Sequence, residues 1–379
     1  MNRPDFTRDA LGLALVRVGA VLVATALILS FWASPDRRTS LPWFLVDLVG
    51  VALVLVVTGP LLPAARARIK PGLLLWLFLS TTFLSLMTAL LTSRWPAYKL
   101  AWLNRVYAAI PSIRSWSWAQ AGLSPNQTGG VLALCTAFSA AVAVWPGMRK
   151  RHRVPAIVLT ITGVAGVFMT GSRAALAGLV VALLLLLVAR TSRWLWLWAP
   201  VLVITLVGMF ASGTLQRAVT FFVHDETVDT KLVARLDIWT SAVNGIQDHF
   251  FSGIGLGVFN KIMPFRYPYQ TVGLSYPVSQ AHNLVLDTAL SIGVPGAIGF
   301  VVLLVGMLLL AVRGSRRRNA PQVLCLGILA SIAVYLVFGI TDSIGLSIPT
   351  SFIVWLWACA LAIFSSPEDE SATAAASKA

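Results

Sequence analysis

Charge is what this 379-residue chain lacks most. Only 11% of its residues are Asp, Glu, Lys or Arg, where soluble domains carry roughly 25%. A water-facing surface cannot be built from so few charges, so an ordinary soluble domain is excluded. Acids are the scarcer sign: 14 Asp and Glu stand against 29 Lys and Arg, a formal charge of +15. Cysteine is almost missing. Cys135, Cys325 and Cys359 each lie inside an apolar run, at no spacing that suits a metal or a disulfide framework. They read as buried, inert thiols. There is no internal repeat, and the only biased segment is the Ser- and Ala-rich C-terminal tail.

What is present is apolar. Hydrophobic residues make up 58% of the chain, and the mean hydropathy is +0.82. A helix needs about 20 mostly apolar residues to cross a bilayer. Such runs fall at 11–32, 42–62, 72–92, 127–146, 154–170, 173–190, 194–212, 283–312, 320–340 and 345–364. The fold class is therefore an all-α polytopic membrane protein with about ten, and up to twelve, transmembrane helices. The run at 11–32 is longer than the apolar region of a cleavable signal, and no clear cleavage site follows, so it reads as the first span. In the long run at 283–312, Gly293, Pro295 and Gly296 predict a kink, or a short helix followed by a span.

The excess basic charge has a plain use. Arg3 and Arg8, then Arg66, Arg68 and Lys70, then Arg149 to Arg153, then Arg190 and Arg193, then Arg313 and Arg316 to Arg318 fall in alternate connections. Lys and Arg gather on the cytoplasmic side and contact anionic headgroups. No basic patch lies on a soluble domain, so nucleic acid is not an expected partner. The pattern predicts cytoplasmic N- and C-termini. Residues 1–212 hold the first seven spans, with an external interfacial segment at 93–125. Residues 213–281 form a large external loop, 282–364 the last spans, and 365–379 a disordered cytoplasmic tail. In 93–125, Trp95, Trp102, Tyr107, Trp116 and Trp118 alternate with basic residues, which suits a helix in the membrane interface. Asp342 marks the last external turn.

Chemistry-bearing residues gather near the second long segment. Arg173 follows Gly171-Ser172 at the outer end of the sixth span, where a guanidinium faces protein or an anion. Arg235 and Trp239 stand four apart, on one face of an amphipathic helix over 231–247. His282 directly precedes an apolar span, and an imidazole there suits proton transfer. Asp225, Glu226 and Asp229 lack the regular spacing of a cation-binding loop. Gly253, Gly255 and Gly257 follow no strand, so they read as a flexible turn rather than a phosphate cradle. Asn126-Gln127-Thr128 fits a glycosylation sequon but abuts a span and reads as a helix start.

Taken in order, these motifs resemble the O-antigen ligase and polymerase family of bacterial membrane proteins. They are Ser124-Pro125-Asn126, Gly171-Ser172-Arg173-Ala174-Ala175, Arg235 with Trp239, the run Asp248 to Gly257, and His282-Asn283-Leu284-Val285-Leu286 followed by Ile292 to Gly296. The resemblance covers roughly residues 40–340. It departs at Ala174, where the family often has glycine, and at Phe250, where proline often stands. It implies a GT-C-like membrane glycosyltransferase at the outer face of the bacterial inner membrane, needing no metal or other cofactor. The donor would be an undecaprenyl-diphosphate-linked glycan, and the acceptor a hydroxyl on a glycan or lipid. Arg173 and Arg235 would bind the diphosphate, and His282 would be the general base. Trp239, Asn283 and Arg266 are further candidates for substrate contact. A polymerase of lipid-linked repeat units would use the same chemistry. A small-anion transporter, bicarbonate-like, is the reading from another class. It would need polar groups near the midplane, where Asp47, Asp287 and Asp342 are the few acids close to the spans.

Overall fold

The structure is a computed structural model that describes residues 3–59, 69–93, 95, 103–110, 124–190, 227–271, 278–317 and 321–365. Those residues form α1 (Arg3–Ala33), α2 (Arg37–Thr58), α3 (Pro71–Thr92), α4 (Asn104–Ala109), α5 (Pro125–Val144), α6 (Lys150–Met169), α7 (Arg173–Arg190), α8 (Thr227–Asp248), α9 (Phe259–Arg266), α10 (Leu284–Gly314), α11 (Gln322–Thr341) and α12 (Ile348–Phe364). Among them, α1, α2, α3, α5, α6, α10 and α11 are long and apolar enough to cross a membrane, and α7 and α12 are shorter apolar helices. The chain is thus an all-helical polytopic membrane protein. The span expected at 194–212, most of the aromatic segment at 93–125, Asp225, Glu226, the side chain of Asp229 and the tail beyond Ser365 lie outside the described residues.

The helices pack in two groups that meet at α10 and α11. The first surrounds α5, which is buried along nearly its whole length by α3, α6, α7 and α11. Hydroxyls reach across these seams: Ser331 Oγ donates to Leu134 O at 2.8 Å and Thr82 Oγ1 to Cys135 O at 3.3 Å. Interhelical bonds of this kind contribute about 0.6 kcal/mol each in a bilayer. The start of α5 carries a capping box. The Ser124 hydroxyl accepts from Gln127 N, the Gln127 side chain accepts from Ser124 N, and Pro125 occupies the first turn. The sequon-like triplet is a helix start, as its context predicted.

The second group is α1, α2, α10 and α12. Here α1 lies antiparallel against α10 at backbone contact. A Cβ on Gly19 would stand 2.5 Å from Leu303 N, and one on Gly299 2.5 Å from the Leu22 Cβ. Small residues at these crossings let two helices approach where no hydrophobic force drives them together.

The expected break in α10 is real. Ile292 and Gly293 leave helical geometry, with Gly293 at φ +77°. A break frees carbonyls that must find donors. The loop after α8 supplies two: Ile254 N donates to Leu290 O at 2.8 Å and Gly255 N to Ser291 O at 3.2 Å, while its Phe250 O accepts from Val294 N at 2.8 Å. Ser30 Oγ adds a bond to Ser291 O at 2.6 Å. The glycines of 253–257 are therefore a fastened clasp and not a flexible turn. Gly253 takes φ +64°, and a Cβ there would lie 2.5 Å from Ser291 O. The far side of the clasp is tied to the α1–α2 turn, where Ser40 Oγ donates to Leu256 O and Lys261 pairs with Asp36. That ammonium, with Thr39, holds the Asp36 carboxyl well below the usual carboxylate range.

Candidate functional site

One end of the bundle gathers the connections that carry polar residues. It holds the α1–α2 turn, the α6–α7 turn, the clasp, the start of α5, the start of α10 and the α11–α12 turn. Within it, Asp342 is the hub. Its residue is 1% exposed. Its Oδ1 accepts from Gln280 Nε2 at 2.6 Å, Ser343 N at 2.9 Å and His282 Nδ1 at 3.0 Å, and its Oδ2 accepts from Asn126 Nδ2 at 3.0 Å. Gln280 is itself held, because its Oε1 accepts from Gln127 Nε2 at 2.8 Å. Residues from three regions, 124–127, 280–282 and 342–343, therefore close on one carboxylate.

His282 sits where this network meets open space. It is the only non-glycine described residue with positive φ, at +51°. Such backbone is uncommon outside glycine and clusters at functional sites. Asp342 acts purely as an acceptor, so the His282 Nδ1 carries the proton and Nε2 presents its lone pair. The side chain is 24% exposed, and Nε2 has no hydrogen-bond partner among the described residues.

Asn283, next in sequence, has a different task. Its Oδ1 accepts from Val285 N at 3.0 Å and Leu286 N at 3.1 Å, and its Nδ2 donates to Ile340 O at 3.1 Å. Both polar groups are engaged in capping α10 and tying it to α11. The expected substrate contact from Asn283 would have to displace them.

Arg173 opens α7 and is exposed. The preceding turn is built for close approach. Gly171 has φ +59°, and Ser172 and Thr170 are buried against α5, where a Cβ on Gly129 would stand 2.6 Å from Thr170 Oγ1. This turn therefore seats Arg173 beside the α5 start that also supplies Asn126. Tyr107, expected in an interfacial aromatic helix, is instead buried with its hydroxyl donating to Met169 O at 2.7 Å, just before the same turn.

Arg235 and Trp239 lie on α8, both part-buried. Ile238, Ala242 and Gly245 of this helix pack on the second core cluster, with Leu290, Val278 and Ala281. Arg235 precedes Ile238 by three residues and Ala242 by seven, so it extends the inward stripe by one turn. The opposite face exposes Val233, Leu236 and Val243. The Trp239 Nε1 is buried without a partner among the described residues. Arg266 is not brought to Arg235. It ends α9 and acts on His249, beyond the other end of α8, about 20 Å along the helix at 1.5 Å per residue. Burial, then Arg266, push the His249 imidazole below its ordinary value.

Among the described residues, no group of three or more His, Cys, Asp or Glu is placed to hold a metal ion. Of this network's residues, sequence reasoning missed Gln280 altogether and quoted Asn126 only as part of the Ser124-Pro125-Asn126 motif. Asp342 left the trace of an apolar-flanked acid at a span end.

Fold and site together define a multi-span helical membrane protein with a protein-lined polar site at one end, built around a histidine on a buried carboxylate. Residues 156–301 match the family model described as O-antigen ligase, and this supports membership of the O-antigen ligase and polymerase family. The matched segment holds Arg173, Arg235 and His282 but neither Asn126 nor Asp342, and it is narrower than the motif resemblance over 40–340. No curated protein matches the chain.

Proposed function

We propose that the chain transfers a glycan from an undecaprenyl-diphosphate donor to an acceptor hydroxyl at the outer face of the bacterial inner membrane. The observation that carries this reading is the His282–Asp342 pair inside an O-antigen ligase-like chain. His282 Nε2 takes the acceptor proton as the acceptor oxygen bonds to the anomeric carbon. The bond from that carbon to the diphosphate oxygen breaks on the opposite face, so configuration inverts. Arg173 and Arg235 bind the diphosphate, each by a two-toothed guanidinium contact, and stabilise the charge that grows on it. Trp239 offers a flat apolar face and an unengaged N–H to the sugar. No metal takes part in the step as proposed.

The test is transfer in vitro from a defined undecaprenyl-diphosphate oligosaccharide. Wild type, His282→Ala, Arg173→Ala and Arg235→Ala are compared with either a lipid acceptor or a second lipid-linked glycan. Loss of the base is expected to slow transfer by about 10²–10⁴-fold, and loss of either arginine by a comparable factor. Full activity in His282→Ala removes the base assignment, and activity abolished by a chelator removes the metal-free step. Preference between the two acceptors separates a ligase from a polymerase.

A further inference from the structure

The proposed chemistry leaves one acid of the site network without a task. Asp287 lies in the first turn of α10. Its Oδ1 accepts from Ala281 N at 3.1 Å, and its Oδ2 accepts from Ser343 Oγ at 2.8 Å. Ser343 is fully buried. Its own N–H donates to Asp342 Oδ1 at 2.9 Å, and its Oγ accepts from Gly345 N at 3.1 Å. Asp287 therefore grips the residue before His282 with one oxygen and the residue after Asp342 with the other. Space behind it is closed, since a Cβ on Gly345 would lie 2.9 Å from Asp287 Oδ2.

We propose that Asp287 and Ser343 form a bracket that fixes the His282 turn against the Asp342 turn, which makes Asp287 a positioning residue for the imidazole. A simpler task would be to complement the helix dipole in the first turn of α10. That task requires no bond to the α11–α12 turn. Capping is already performed by Asn283. The left-handed backbone at His282 is a conformation that side-chain-bearing residues hold only when their surroundings over-determine it. The bracket supplies such restraint from both sides of the pair. That this positioning serves catalysis rests on the general-base reading above, whereas the bracket itself does not.

The experiment uses the full chain in nanodiscs, treated with diethyl pyrocarbonate and mapped by peptide mass spectrometry. The reagent acylates a free imidazole nitrogen once, and a second time only when the other nitrogen is also free. Wild type is expected to give a single adduct at His282, because Nδ1 is held by Asp342. His152, which is 3% exposed, serves as the internal control and stays unmodified. Asp287→Asn and Ser343→Ala are each expected to give the double adduct at His282 with His152 still protected. Ser343→Ala changes no charge, so a shared effect is one of position and not of field. In the transfer assay both variants are expected to lower kcat by on the order of 10- to 100-fold with KM unchanged. A wild-type adduct pattern in both variants overturns the bracket. So does an effect confined to Asp287→Asn, or His152 becoming reactive together with His282. Absence of glycan transfer by the wild type overturns the proposed function instead, and the adduct pattern still decides the bracket.

Discussion

Removing the Asp342 carboxylate leaves four donors facing an empty space. Those donors are the Gln280 and Asn126 amides, the Ser343 N–H and the His282 Nδ1. A buried donor stripped of its acceptor costs about 1–3 kcal/mol, so Asp342→Ala is expected to lower the melting temperature markedly. Asp342→Asn keeps the shape and one acceptor, but its amide turns a donor toward groups that themselves donate. The imidazole then loses the charged partner that would stabilise it as it takes up a proton. Stability is expected to fall less than in Asp342→Ala, while transfer falls by about 10²-fold or more. Thermal unfolding and the transfer assay together check this, and a fully active Asp342→Asn would detach the carboxylate from the chemistry. At this scale the sequence is legible only in part. His282 stands out because it directly precedes a span, but its partner lies 60 residues away, and pairing over that separation leaves no local pattern. Asn283 is expected to contact substrate as part of the His-Asn motif that the resemblance rests on. Asn directly before an apolar run is also an N-cap signal, and the Asn283 side chain makes that cap.

Among the elements, α10 shows how a rule of local sequence meets a contact that no local rule contains. Gly293 and Pro295 announce the break. The clasp at 250–255 that satisfies it comes from about 40 residues upstream, and its hydrogen bonds to Leu290 and Ser291 are what turn a kink into a fixed corner. The glycine run kept its identity as a turn, but Gly255 N is engaged by Ser291 O of α10 and Gly253 N by His249 O. Gly293→Ala is a direct measure. At φ +77° an L side chain is strained by about 1–3 kcal/mol, and the new Cβ would meet Phe251 O at 2.4 Å. Gly147→Ala is the matched control, because Gly147 has φ +73° but nothing within 4 Å of its Cβ position. Both are expected to lose stability, and Gly293→Ala by clearly more. Gly293→Ala alone is expected to expose the 250–257 loop to limited proteolysis. Equal losses in the two variants would mean that the clasp adds no restraint beyond the glycine backbone itself.

For the whole molecule, composition alone dictated the architecture, since a chain with 11% charged residues has no other way to hide 58% hydrophobic ones. The structure adds that, among the described residues, the hydrogen-bonded network around Asp342 lies at one end. The opposite end is organised by charge: Arg313 and Arg317 pair with Asp9, joining the start of α1 to the end of α10. The basic run Arg149 to Arg153 lies at the start of α6, at that same end. Lys and Arg density predicts a cytoplasmic location for that end, where anionic lipid would favour it. With that expected orientation the site would face outward, the side on which the proposed lipid-linked donor would be presented. Cysteine labelling in intact cells tests this with little background, because Cys135 and Cys325 are buried and Cys359 is part-buried within α12. Phe265 is 79% exposed on α9, and Phe265→Cys is expected to react with a membrane-impermeant maleimide added outside. Arg316, exposed just past α10, is the opposite probe. Arg316→Cys is expected to react only after the membrane is permeabilised. The reverse pattern would turn His282 toward the cytoplasm and separate the site from any donor delivered to the outer leaflet, and the glycan-transfer reading would fail with it.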